Sequence, residues 1–271
     1  MSGFIANARM YAVTPEAEAA WQGLLTRICE EAGVTLAYLS YPAPLPLEAL
    51  WARPDIGCVQ MCGYPIALRL ADVVPIASPI PRAEWALGRA VYRSDLIVRR
   101  DAPFRTLKDT FGLRLGWTAA HSHSGFNALR HHLLQYRTPA RPTLYGEVCG
   151  ELVTARRILD SVLKGSIDVG PLDAYWHMLI RHYRPDLTAG VRVLEATATA
   201  PMPAFVASPG LPNDAFASLH DAFVAARSRP WFTPFADALL IDGFAAVDLA
   251  SFALTRAWHD AALQAGYSVP G

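Results

Sequence analysis

Strand-like runs alternate with amphipathic helical stretches along nearly the whole chain, and that alternation restricts the fold to a mostly parallel sheet flanked by helices. Residues 5–13 (IANARMYAV) read as a first strand, and residues 15–33 as a helix with proline in its first turn and glycine at its end. Extended runs at 34–42, 56–65 and 73–80 bracket short helices at 46–53 and 64–72. A long extended run, a turn at RDAPF and a fresh strand at 113–119 mark a crossing into a second lobe. That lobe holds a helix opened by HSHSG, a helix from Thr154 to Lys164, the strand IDVGPLD and a helix from Ala174 to His182. A second extended crossing, 191–212, leads back, and two or three helices close the chain.

A chain of 271 residues has length enough for two such lobes. The expected division is 1–100 with 205–271 as a discontinuous first lobe and 101–204 as an inserted second one. Two connecting strands join the lobes, and a ligand cleft lies between them, at the carboxyl ends of the strands.

Composition removes several classes of function. Lys and Arg together number 24, equal to Asp and Glu at 24, so no net field recruits nucleic acid or an anionic membrane. Any charged ligand has to be caught locally. Apolar runs are broken well short of the about 20 residues of a membrane span, so no span is expected. The start of the chain lacks a basic segment followed by an apolar stretch and a cleavage site. The expected location is therefore the cytoplasm, or outside it if an export signal has been trimmed. Cys29, Cys58, Cys62 and Cys149 are too scattered for a disulfide framework and read as buried free thiols.

The densest chemistry lies in AHSHSGFNALRHHLL, residues 120–134. Phe126, Leu129 and Leu133 recur at helical spacing, so Ser122, His123, Ser124 and Gly125 form the mouth of a helix. Outward N–H groups, the helix dipole and a glycine that admits close approach suit a phosphate-like or carboxylate oxyanion. An ordinary serine N-cap with no ligand explains the same residues. A metal site needs an acidic partner that no spacing supplies, and His131 and His132 diverge by about 100° on a helix. A serine nucleophile lacks the G-x-S-x-G frame. Elsewhere, Tyr11 follows the first strand, Tyr64 follows Cys62 and Gly63, and Asp173 either caps a helix or offers a carboxylate to a cationic group.

Together these segments resemble the phosphate, phosphite and phosphonate type of ABC transporter solute-binding protein, with the type 2 periplasmic binding protein fold. The resemblance runs through residues 92–117, SHSGF as the family's Ser-Thr-Ser-Gly loop, ILDSVLKGSIDVGPLDAYW, CGYP and LLIDGFAAVD. It implies an α/β protein of two lobes with mixed sheets flanked by helices, closing on a small anionic or zwitterionic solute such as a phosphonate, a phosphate or a small carboxylate. Tyr11 and Tyr64 from one lobe, with Ser122, His123, Ser124 and Gly125 from the other, would surround the oxyanion, and Asp173 would meet the other end. No cofactor, metal, catalytic residue or nucleic acid is implied. The expected partner is an ABC permease, and the expected state is a monomer.

Two positions depart from the family pattern. His123 stands where Thr is usual, which admits a neutral or charged imidazole beside the ligand. Val153-Thr154-Ala155 replaces Gly-Ser-His, removing a ligand-binding histidine. The alternative reading is a cytoplasmic enzyme or small-molecule sensor on the same fold, for example in thiamine-pyrimidine metabolism, with His123 and Asp173 as acid and base.

Overall fold

The computed structural model describes residues 3–271. The chain divides into two compact units. One runs up to Tyr92 and takes in Pro201–Ala253, and the other is Arg93–Ala200 with Leu254–Gly271. The chain thus passes between units three times rather than the expected twice, and residues 254–271 pack with the second unit instead of the first.

The first unit is built on a six-stranded sheet in the order Ile241–Ala246, Val74–Pro81, Ala204–Ala207, Ile56–Met61, Ile5–Asn7, Ala37–Tyr38. Within this order only the last three strands pair in parallel. Ala204–Ala207 is antiparallel to both neighbours, because it enters from the second unit and not through a helical crossover. The mostly parallel sheet expected from the alternation is therefore a mixed one. The expected first strand stops at Asn7, whose Oδ1 accepts the Arg9 N–H at 2.9 Å and turns the chain into a 3-10 turn, Arg9–Tyr11. Pro15–Ala32 is helical as its sequence suggests, capped by Thr14, whose hydroxyl accepts from Ala17 N, and ended by Gly33 in the left-handed region. Its inner face, Trp21, Leu24, Leu25 and Ile28, is buried. A cluster of Ile5, Leu50, Trp51, Ile56, Val59, Met61, Val206 and Phe252 forms a core.

The second unit carries an antiparallel sheet ordered Val191–Ala196, Ser94–Arg99, Gly170–Asp173. A parallel pair, Arg114–Gly116 with Glu147–Cys149, joins it through a bridge between Leu115 and Val169. Side chains alternate across Ser94–Arg99. Leu96 and Val98 meet Leu115, Leu129 and Leu133 on one side, and Ile97 meets Ile158, Leu159 and Leu172 on the other.

The C-terminal segment joins this unit through specific contacts with the helical segment 123–133. Trp258, in the helix Ala253–Gln264, stacks on His131 at 4.6 Å and on His123 at 5.3 Å. Asn127 Nδ2 donates to Thr255 O at 2.9 Å, and the buried Arg130 donates to Ser268 O and to His259 Nδ1. Tyr267 enters the core beside Leu129 and Leu133. These are pairings over more than 120 positions of sequence, which local patterning does not encode.

All four cysteines are free; Cys58 and Cys62 are buried, whereas Cys29 and Cys149 are half-buried rather than buried as expected. No helix among the described residues is long and apolar enough to cross a membrane. Trp258→Ala should lower the unfolding free energy by about 3–5 kcal/mol in denaturant titration, the usual cost of emptying a large buried aromatic site. A change below about 1 kcal/mol would show that the C-terminal segment is not held there.

Candidate functional site

The second unit brings Ser122, His123, Ser124, Gly125 and Asp173 into one neighbourhood. The chain leaves the strand Arg114–Gly116 through Trp117 and Thr118 and turns at Ala119, whose carbonyl accepts from Ser122 N. It then enters a helical segment that opens as a π turn, His123–Asn127, and continues as Ala128–Leu133. Ser122 is the N-cap, its Oγ accepting from Gly125 N at 3.0 Å. That bond uses an oxygen lone pair, so the hydroxyl proton remains available to donate. The Ser124 N–H stands ahead of any intrahelical acceptor.

Gly125 is required by its neighbour across the turn. A Cβ at this position would stand 1.9 Å from Thr118 Oγ1. Glycine therefore lets the strand end and the helix mouth close on each other, and Thr118 N donates to Gly125 O at 3.2 Å. Thr118 in turn accepts from Val153 N, placing the capped start of the next helix, Ala155–Lys164, alongside. Thr154 Oγ1 accepts from Arg157 N, as its sequence position suggests, and Arg156 is paired with Asp160.

Ser124 is 8% exposed, and its carbonyl accepts from Ser94 Oγ at 2.8 Å. Its own hydroxyl makes no hydrogen bond to protein among the described residues, so it is free to donate to a ligand. Ser94 lies opposite Asp173 in the sheet register. Asp173 caps the helix Ala174–Tyr183, with Oδ1 accepting from Tyr175 N and Trp176 N at 2.9 and 3.0 Å.

His123 is the main correction at this site. Its ring is 1% exposed, stacked on Trp258, with Nδ1 accepting from Asn127 Nδ2 at 3.2 Å. Burial, reinforced by the nearby His131, drives its pKa down to about 3. The buried ring is therefore held in its neutral form, and its packing against Trp258 and Asn127 makes it a support of the helical segment. His131 and His132 make structural contacts as well. His131 stacks on Trp258, and His132 Nε2 lies 2.6 Å from Glu195 Oε1, which also accepts from Tyr136 at 2.7 Å.

Tyr11 and Tyr64 belong to the first unit, and both are buried. Tyr11 lies in the turn after the first strand, its hydroxyl 4.0 Å from Met202 Sδ. Tyr64 lies in the short helix Gly63–Ala67, and a Cβ on Gly63 would strike Phe252 at 2.5 Å. The residues that sequence reasoning missed are Ser94, Asp95, Thr118 and His177. Only His177 left a trace, at four residues beyond Asp173 on one helix face.

Solved structures of the same fold are two-lobed α/β binding proteins. The binding protein component of an ABC phosphonate transporter from Pseudomonas aeruginosa has a TM-score of 0.80 at 14% identity, covering 98% of this chain and 88% of that one. PhnD1 from Prochlorococcus marinus, in complex with methylphosphonate, has a TM-score of 0.78 at 13% identity, covering 95% and 97%. A Xanthomonas citri protein bound to ATP has a TM-score of 0.66 at 20% identity, covering 98% of both chains. These likenesses establish the type 2 periplasmic binding protein fold. The sequence model of the periplasmic substrate-binding proteins of phosphonate ABC transporters matches residues 12–252, and the chain belongs to that family. Among curated proteins no significant sequence match is found.

The buried, neutral His123 carries a pH signature. Above about pH 6.5 the ring is neutral in both folded and unfolded chains and contributes nothing. Between about 6.5 and about 3 the unfolded chain binds a proton that the fold excludes, so stability falls as pH falls, by up to about 1.4 kcal/mol per pH unit. Denaturant titrations across this range should show the decline, and His123→Phe should make it shallower. An identical slope in the variant would contradict a buried neutral ring.

Proposed function

We propose that this chain is an extracytoplasmic solute-binding protein that takes a phosphonate- or phosphate-like oxyanion at the helix mouth 122–125 and delivers it to an ABC permease. It acts as a single chain and makes or breaks no covalent bond in the solute. The observation that carries this reading is the Ser124 hydroxyl, without a protein partner among the described residues and beside a glycine that admits no side chain. Family membership supplies the class of solute.

The oxyanion accepts from the hydroxyls of Ser122 and Ser124 and from the Ser124 N–H, with the helix dipole adding about half a positive charge. Gly125 provides the clearance. Asp173 meets a cationic group when the solute is zwitterionic. Tyr11 and Tyr64 are proposed as further ligand contacts, each open to test by its Phe variant. The enzyme reading needs His123 as acid or base, and a ring held neutral against Trp258 and Asn127 is a poor candidate for that work.

Calorimetry with methylphosphonate, phosphate, a sulfonate and a small carboxylate tests the proposal. Tetrahedral oxyanions should bind, and Ser124→Ala should weaken the tightest of them by about 1–3 kcal/mol with little change in melting temperature. Unchanged affinity in the variant would move the site away from the helix mouth. Chemical turnover of the solute would favour the enzyme.

A further inference from the structure

We propose that Ser94 and Asp95, the first two residues of the strand Ser94–Arg99, are positioning residues of the oxyanion site, Ser94 for the helix mouth and Asp95, through His177, for the helix that Asp173 begins. The inference rests on the functional reading above and names what aligns the two ends of that site.

Consecutive strand residues face opposite sides of a sheet, so one strand start can hold two elements at once. Ser94 points to the side of Leu96 and Val98, where its Oγ donates to Ser124 O at 2.8 Å. Its N–H donates to Thr197 Oγ1 at 3.0 Å, which fixes the strand start itself. Asp95 points to the side of Ile97, where its Oδ2 lies 2.9 Å from His177 Nδ1. The carboxylate can only accept, so Nδ1 carries the proton. His177 sits one turn after Asp173, on the same face of the helix, and side chains on a helix lean toward its N-terminus.

Packing economy does not explain this pair. Asp95 and His177 are each 7% exposed, and Asp95 Oδ1, 3.4 Å from Arg93 Nε, has no hydrogen-bond partner among the described residues. A buried carboxylate so thinly paired adds little stability over an apolar side chain of similar size. What it supplies is a directional bond between the strand and the helix start. Ser94 and Asp173, opposite each other in register, carry the two ends of one alignment.

The test compares methylphosphonate with aminomethylphosphonate, which differ by one cationic group. Wild-type protein should bind both and favour the amino compound through Asp173. Ser94→Ala should weaken both about equally, by about tenfold, the loss expected when one hydrogen bond stops holding the mouth. His177→Phe, which keeps the ring volume, should remove most of the preference for the amino compound and leave methylphosphonate within about twofold. His177→Asn, whose amide N–H reaches the position of Nδ1–H, should restore the preference. Asp95→Ala approaches the same bond from the other partner and serves if His177→Phe fails to fold.

Equal weakening of both ligands by the His177 or Asp95 variants, or no change in selectivity, overturns the proposal. So does a Ser94→Ala variant that binds as wild type. Wild-type protein that binds methylphosphonate without preferring the amino compound also overturns it, while leaving the functional reading intact. Wild-type protein that binds neither ligand overturns that reading and the proposal with it.

Discussion

The second unit is organised around the close approach of Thr118 to Gly125. With Thr118 Oγ1 only 1.9 Å from where a Cβ would stand, the strand end and the helix mouth share the hydrogen bond from Thr118 N to Gly125 O, and the following loop adds Val153 N to Thr118 O. Two capped segments, one starting at Ser122 and one at Thr154, are thereby set against one strand end. Any side chain at Gly125 would separate them, and the Ser122 and Ser124 hydroxyls would lose their common geometry. On the far side of the same segment Trp258 stacks on both His123 and His131, so the mouth is braced front and back.

This arrangement suits a chain with no net charge. An anion has to be held by local dipoles and neutral donors, and the mouth offers hydroxyls, backbone N–H groups and a helix end in place of a cationic side chain. The neutral state of His123 fits the same logic, because its ring supports the segment instead of adding charge to it. Arg156, at the start of the neighbouring helix, is paired with Asp160.

What the sequence showed and what it hid divide along the range of the interactions. The helix Pro15–Ala32, the Ser122 cap, the helix beginning at Thr154 and the Asp173 cap were legible because each is specified within a few residues by a capping side chain. The first strand was read too long because one side-chain bond, from Arg9 N to Asn7, ends it where the apolar pattern continues. The placement of residues 254–271 was misread because it depends on Trp258 and Tyr267 meeting residues more than 120 positions away. Thr118 and Asp95 carried no signal at all, since each acquires its place only when a strand end meets a helix start. The four histidines of 120–134 stand out by composition, whereas the site proposed there is built from serines, a glycine and the backbone.

The central claim, that an oxyanion sits at the helix mouth, is tested most directly by following backbone amide resonances of the intact protein while methylphosphonate is added. The account predicts saturable shifts concentrated at Ser122, His123, Ser124 and Gly125. Saturable shifts that leave those four amides unmoved, or the absence of any saturable shift, would contradict it.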